Sequence, residues 1–419
     1  MRRTMVSLVS DQTQPNVLMI REFMVIRKTE FDRYIFVTTE KMENKGKTAS
    51  IMEVCGIPGD IAVRVLVQED SIASVIEGLA ALKYDDDEES IVNITCGTKM
   101  MSIGAFQFFR DRRSEVYYLP LNANILKKIH PLVRESDAEI QYRLDLREYL
   151  VSHGTPIITF DKKNKTVGDF PMAGCMFRAF IGEKFNDAVM RRLRARRNDR
   201  NGVAIGDLPG LDGLLNNIGY RVPPGGVLSR DETRYITGGW FEEYVYWLVR
   251  DHGKIGDDYI GINLESKKGG EKNEFDVMFT FDNRLVMVEC KTGLTDSRLK
   301  HENEQRFLQL VRQMQEEKEV DSEELEQLRE IDLGAIYSNK NIVSETIYKS
   351  SALRRDFGLS VESYLFTLDR NLRGSDGEIK REHRDRAQNS QVHIVDRLVL
   401  GDDALMKETL RKMFGHCAP

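Results

Sequence analysis

The N-terminal part of the chain alternates between short β-prone runs and apolar stretches of helical period, and few folds accept that rhythm. Strand-like runs fall at residues 4–10, Arg33–Thr39, Ile61–Val67 and Ser90–Thr95, each rich in Val, Ile, Phe or Thr and bounded by polar residues. Between them the spacing predicts a helix reaching Ile20 with Pro15 in its first turn, a second through about Val54, and a third over Ser71–Leu82. Strand and helix in strict alternation predict an open, mostly parallel sheet with helices on both faces. In such sheets ligands bind beyond the C-terminal ends of the strands, where the strand order reverses. Three loops therefore matter: Asp11–Asn16, Thr38-Thr39-Glu40 and the loop after the fourth strand. The acidic run Asp85–Glu89 is expected to be a solvated turn.

That fourth loop runs from Asn93 through Thr95, Cys96, Gly97, Thr98 and Lys99 to Ala105. Small and hydroxylated residues let backbone approach a ligand, Thr98 suits a helix cap, and Lys99 at a helix N-terminus favours an anion. On those residues alone a capped tight turn is an equal reading.

Further along, Asn273–Lys291 reads as two strands joined by a polar turn at Asp282-Asn283-Arg284. Asp276 interrupts the first apolar run, and Glu289 and Lys291 end the second, two apart and so on one face. A carboxylate in an apolar strand is costly without a partner. Two carboxylates with a lysine suit Mg²⁺- or Mn²⁺-assisted phosphodiester hydrolysis; an isolated ExK, by contrast, is usually a solvated strand end. Upstream, Phe241, Tyr244, Val245 and Leu248 have helical spacing after Gly238-Gly239. Glu242 is the candidate carboxylate on that helix, with Glu243 as the alternative; both also suit the first turn of a helix for its dipole alone.

A chain of 419 residues accommodates two or three domains, and 41% apolar with 31% charged residues describes a soluble globular class. No apolar run reaches membrane-spanning length, and Met1-Arg2-Arg3-Thr4 leads into a strand-like run rather than a signal peptide, so a cytoplasmic protein without membrane contact is expected. Cys55, Cys96, Cys175, Cys290 and Cys417 form no CxxC pair and are odd in number, which argues against a zinc site and a disulfide framework. The net charge of −6 gives no global attraction to nucleic acid, so any must be local.

Between the two regions, Ala138–His153 has helical period, Thr155–Thr166 resembles a hairpin, and Met176–Arg197 reads as a helix ending in arginines. Those arginines suit either a nucleic-acid backbone or a solvated helix end. Asp207–Tyr220 suggests a short helix and turn, and Pro223-Pro224-Gly225-Gly226 a boundary. After Lys291 a helix is expected over Ser297 to about Ile331, then a strand at 332–338, a helix over Ser350–Phe357 and a strand over Val361–Leu368; Arg370–Arg386 suits a loop.

The loop Asn93–Met101 resembles the NxTGGTKxM motif of CARF domains, the CRISPR-associated Rossmann-fold sensors, with Cys96 in place of the first Gly. The opening loop, with its Pro15-Asn16, is similar to that family's SxxxxPN stretch. Asp276, Glu289 and Lys291 resemble the signature of the PD-(D/E)xK nucleases, with Phe275 in place of the Pro. The resemblance covers roughly residues 4–125 and 235–360. It implies a CARF domain over 1–135 with a mostly parallel Rossmann-like sheet, a small helical or winged-helix-like segment over 136–225, and a restriction-endonuclease-like α/β domain over 226–419. It implies further a type III CRISPR ancillary nuclease activated by a cyclic oligoadenylate, with cyclic tetra-adenylate the leading ring, and a homodimer offering two copies of the ligand loop. On that resemblance Asp11, Gln12, Thr13, Thr39, Thr95, Cys96, Gly97, Thr98 and Lys99 meet the activator. Asp276, Glu289 and the Cys290 carbonyl hold Mg²⁺ or Mn²⁺, Glu242 supports it, and Lys291 positions water for attack on DNA or RNA. Alternatives are a gated ribonuclease and a nucleotide-sensing regulatory protein whose nuclease-like domain is scaffold.

Overall fold

The computed structural model describes residues 2–132, 137–155, 157–268, 271–293, 342–369 and 372–415. Contacts divide the chain into two compact units: Met1–Val288 with Leu353–Ser363 and Phe414–Pro419, and Glu289–Ala352 with Tyr364–Met413. The helix expected over 297–331 and the strand at 332–338 lie outside the described residues.

The first unit opens as the alternation requires: β1 (Arg3–Leu8), α1 (Gln14–Arg21), β2 (Arg33–Thr38), α2 (Glu40–Asn44), α3 (Lys47–Cys55), β3 (Ala62–Leu66), α4 (Ile72–Ala80), β4 (Glu89–Asn93), α5 (Lys99–Phe109) and β5 (Ser114–Tyr118). Antiparallel β6 (Ile125–His130) and β7 (Ala138–Glu139) complete a seven-stranded sheet of order β3-β2-β1-β4-β5-β6-β7. β1 pairs in parallel with β2 on one side and β4 on the other, Val6 facing both Ile35 and Val92. The strand order thus reverses at β1, which puts the loops after β1 and β4 at the switch point. β1 from Thr4 and all of β2 are buried, as strands covered on both faces must be.

On one face Val75 and Leu79 of α4 pack with Met101, Ala105 and Phe109 of α5. On the other, α1 and α3 join α6 (Leu146–Ser152), and the same core continues into Leu264, Phe275, Met278, Leu285 and Met287.

Several elements differ from expectation. The helix after β2 is broken at Gly46, whose φ of +68° is left-handed and interrupts the helical ladder. Over 138–153 the helix begins only at Leu146, after a capping box between Asp145 and Glu148; the residues before it extend from β7. Among the described residues of 155–166 no hairpin forms: Phe160–Lys162 is a single 3₁₀ turn, and Ile158 N–H instead donates to Glu265 O at 2.8 Å. The single helix over 176–197 is two, α7 (Phe170–Ile181) and α8 (Asp187–Ala195), because the side chain of Asn186 accepts the first free N–H groups of a new helix. The acidic run is only partly solvated, since Glu88 is buried and paired with Arg33 and Thr4.

The middle segment continues with β8 (Val203–Ala204), α9 (Leu211–Asn217), β9 (Val227–Leu228), antiparallel to β8, and α10 (Arg230–Arg234). α11 (Trp240–Gly253) follows and packs on α7, with Tyr244 stacked on Phe177 at 4.2 Å between ring centroids. Next come β10 (Ile260–Lys268), β11 (Glu271–Phe281) and β12 (Arg284–Lys291), two antiparallel pairings joined at Asp282-Asn283, both of positive φ. In the second unit the end of β12 is followed by β13 (Val361–Thr367, which begins in the first unit) and β14 (Val392–Val395) in order β12-β13-β14. Val343, Ile347, Leu365, Leu372 and Val392 form that unit's core. Residues expected as loop over 370–386 include a helix, Arg381–Ser390. Among the described residues no helix is long and apolar enough to cross a membrane.

Candidate functional site

The switch point is built by two asparagines. Asn16 Nδ2 donates to Leu8 O at 2.8 Å, and Asn93 Nδ2 donates to Asn16 Oδ1 at 2.9 Å, so the loops after β1 and β4 are held together. Asn93 Oδ1 accepts from Thr95 N–H at 3.0 Å and from its hydroxyl, while Thr95 Oγ1 accepts from Leu119 N–H at 2.9 Å. Gly97 follows at a φ of +82°, and a Cβ there would press on Leu8 and Met101 at 3.3 Å. Thr98 Oγ1 caps α5 by accepting from Met101 N–H at 3.2 Å, which leaves Lys99 exposed in the first turn. A cavity of about 220 Å³ opens here, lined by Gln12, Thr95, Cys96 and Gly97 together with the 118–124 loop. Backbone amides at the cavity, and a helix N-terminus with an exposed lysine two residues beyond its Gly97 wall, suit an anionic ligand.

The expected ligand residues divide into two groups. Gln12, Gly97, Thr98 and Lys99 stand at the cavity or the exposed helix end, and Asp11 is exposed and paired with Lys45 at 2.7 Å. Other side chains are committed inward. Thr13 is buried and donates to Ser152 O, and Thr39 caps α2 through Met42 N–H at 3.3 Å. The Cys96 thiol donates to Gln12 O at 3.1 Å, and burial pushes its pKa up to about 12. These three side chains position the loops.

Sequence reasoning missed what borders the cavity on its far side. Gln14 Nε2 donates to Asn283 O at 3.3 Å, and Gln12 Oε1 accepts from Leu359 N–H at 2.9 Å. Asn283 is 3% exposed; its Oδ1 accepts from Leu144 N–H at 2.8 Å, and its Nδ2 donates to Asn124 Oδ1 at 2.8 Å and Tyr142 O at 3.0 Å. The β11–β12 turn is thereby bonded to the ligand loop itself. The only sequence sign was a turn-forming asparagine.

At the other end of that hairpin, Val277 pairs with Val288; Asp276 is the residue before the one and Glu289 the residue after the other. Asp276 is 7% exposed in a strand of Phe275, Val277, Met278 and Phe279. In the second unit Lys291 Nζ lies 2.7 Å from Glu289 and donates to the Cys290 carbonyl at 3.2 Å. An ammonium thus already bridges a carboxylate and a carbonyl, hard oxygens of the kind that Mg²⁺ or Mn²⁺ prefers. Among the described residues no three His, Cys, Asp or Glu side chains gather as ligands, so water and phosphate oxygens would complete such a shell.

The two glutamates of α11 separate clearly. Glu243 is 3% exposed and accepts from Val167 N–H and, at 2.8 Å, from Gly168 N–H. Burial nevertheless pushes its pKa up to about 7 against those two bonds. Its carboxylate is spent on the 167–168 turn. Glu242 is half-buried on the neighbouring position of the helix.

A family model for the Card1 CARF domain matches residues 4–149, and one for the Card1-like endonuclease domain matches residues 229–322. No curated protein sequence matches the chain. Among solved structures it is similar to Can2 from Sulfobacillus thermosulfidooxidans in complex with cyclic tetra-adenylate, at TM-score 0.65 and 18% identity over 99% of this chain and 100% of that one. It is similar also to protein VC1899 from Vibrio cholerae, at TM-score 0.65 and 16% identity over 98% of each chain. Identities this low speak for a common fold. The two domain matches identify the chain as a Card1-type CARF domain followed by a Card1-like endonuclease domain.

Proposed function

We propose that a cyclic oligoadenylate binds at the switch point of the first sheet and gates metal-dependent phosphodiester hydrolysis, in the cytoplasm, as part of type III CRISPR defence. One observation carries the gating: the ligand loop, through Gln12 and Gln14, is hydrogen-bonded to Leu359 and to the turn of the hairpin whose strands bear Asp276 and Glu289. A ligand that prefers one arrangement of those bonds shifts the hairpin by its differential affinity and by no more. Because Can2 holds cyclic tetra-adenylate, that ring is the first to test. A symmetric ring matches two copies of the loop, hence a homodimer with Lys99 and the Gly97–Thr98 backbone on the phosphates and Gln12 and Asp11 nearby. Thr13, Thr39, Thr95 and Cys96 hold the loops that present them. The domains on this reading span 1–135, 136–225 and 226–419.

In the catalytic part Asp276, Glu289 and the Cys290 carbonyl would hold Mg²⁺ or Mn²⁺, which would supply positive charge to the phosphate. Glu242 supports that set from α11. Lys291 turns from Glu289 to orient the attacking water and to stabilise charge on the phosphate oxygens. The substrate is DNA, nicked as supercoiled duplex or cut as single strands.

The test is cleavage of supercoiled plasmid and of end-labelled single-stranded DNA and RNA, with Mg²⁺ or Mn²⁺, across cyclic oligoadenylates of different ring size. DNA cleavage that needs both metal and one ring is expected. Cleavage of RNA alone makes the protein a gated ribonuclease, cleavage without activator removes the sensor, and activator binding without cleavage leaves a regulatory protein.

A further inference from the structure

Residues 150–228 lie between the two family matches, so neither domain accounts for them. Within that module, 188–200 holds six arginines and one acidic residue, in a chain whose net charge is −6. α8 buries Val189, Met190 and Leu193 and turns Arg191, Arg192 and Arg194 outward; Arg197 and Arg200 are exposed just beyond it. Helix-end electrostatics explain one or two such residues at roughly 0.3–1 kcal/mol each, whereas crowding like charges costs energy. The density needs another cause.

The face is also held in place. Arg192 Nη2 donates to Pro209 O at 2.9 Å, and Arg234 Nη2 donates to Asn198 Oδ1 at 3.0 Å. Arg194 Nε donates to Thr237 O at 3.4 Å, and Thr237 lies in the turn that leads directly into α11 and Glu242. A guanidinium has five donors, so one bond to a carbonyl fixes the group without exhausting its donors. Phe170 and Phe177 of this module stack on Tyr244, and Phe180 and Phe185 pack on Trp240. Charge without an aromatic platform suits a duplex backbone rather than unstacked bases. An α-helix with its side chains is about 10–12 Å across, which the ~12 Å wide B-form major groove admits, while the A-form groove is too narrow for it.

We propose that the arginine face of α8 and the following loop is the surface on which the phosphate backbone of duplex DNA is seated, leading it toward Glu242. The route to Glu242 rests on the nuclease reading above; the binding surface does not. The test is fluorescence anisotropy of a labelled DNA duplex, in EDTA and without activator, at several salt concentrations. The variant R191A/R197A/R200A removes three exposed charges and the variant R191K/R197K/R200K keeps them, with both checked for wild-type melting. At about 0.9 per phosphate contact, the alanine variant lowers the slope of log affinity against log salt by about 2–3 and weakens binding at least tenfold in 0.1 M salt, whereas the lysine variant retains most of both. Wild-type protein that does not bind the duplex, or an alanine variant with unchanged affinity and slope, overturns the proposal. So does a loss confined to a duplex RNA probe. Salt-dependent DNA binding by these arginines in a protein that never cleaves would leave the surface standing and remove the nuclease reading alone.

Discussion

Asn283→Ala tests whether the hairpin turn is held by the sensor. The side chain is 3% exposed and makes three bonds: it accepts from Leu144 N–H and donates to Asn124 Oδ1 and Tyr142 O. Truncation orphans a buried N–H, which costs about 1–3 kcal/mol, and forfeits two further bonds at about 0.5–1.5 kcal/mol each. Asn283 also sits at a φ of +62°, which alanine adopts at a cost of about 1 kcal/mol more than asparagine. Because the residue borders the cavity, water can enter the vacated space and recover part of the loss, leaving roughly 3 kcal/mol. Hydrogen exchange reads this locally: protection of the Leu144 amide should fall by about 10²-fold, since each 1.4 kcal/mol is tenfold. Asn283→Asp keeps the acceptor for Leu144 and loses only the donors, so its Leu144 amide should stay better protected. If protection in the alanine variant is within about threefold of wild type, the side chain does not anchor the turn and the gating argument loses its physical link.

Glu289→Ala and Lys291→Ala should each lower cleavage by about 10²–10⁴-fold while activator binding is unchanged; retained cleavage in either would remove that residue from the chemistry. Lys99→Ala should raise the half-maximal activator concentration about tenfold to a hundredfold, the worth of a charged hydrogen bond, and an unchanged activation curve would count against the pocket. Burial on folding raises the Glu243 carboxyl from its ordinary 4.5 to about 7. The folded state therefore binds more protons between those values, and stability should fall as pH rises through that window, by up to about 3 kcal/mol. Urea melts of wild type and Glu243→Gln at pH 5 and pH 8 measure it; a difference between the two proteins that does not change with pH refutes the assignment.

What the sequence revealed and what it hid follow from the range of each signal. Strand–helix alternation is local, so β1 to β4 and the Asp282-Asn283 turn were legible, and Thr98 could be read as a cap three residues before its partner. Breaks are less visible. Gly46 and Asn186 interrupt apolar patterns that continue on both sides, and periodicity registers the pattern rather than the gap. At the site, Gly97 and Lys99 were legible because backbone freedom and charge belong to the residue itself. That Thr13 and Cys96 turn inward was not, since their partners Ser152 and Gln12 are chosen by the fold. Asn283 is the extreme case: its bonds reach back more than a hundred residues, to Asn124, Tyr142 and Leu144.

The apolar core that runs from α1, α3 and α6 into Leu264, Phe275, Met278, Leu285 and Met287 bears on how this protein can be cut. A fragment beginning near residue 229, where the endonuclease family match starts, would carry those side chains to the surface with nothing to cover them. A sensor fragment ending near 149 would strip the same face from the other direction. Family boundaries here mark units of descent rather than units of solubility. Grafting this sensor onto another effector would have to bring the hairpin's inner face with it.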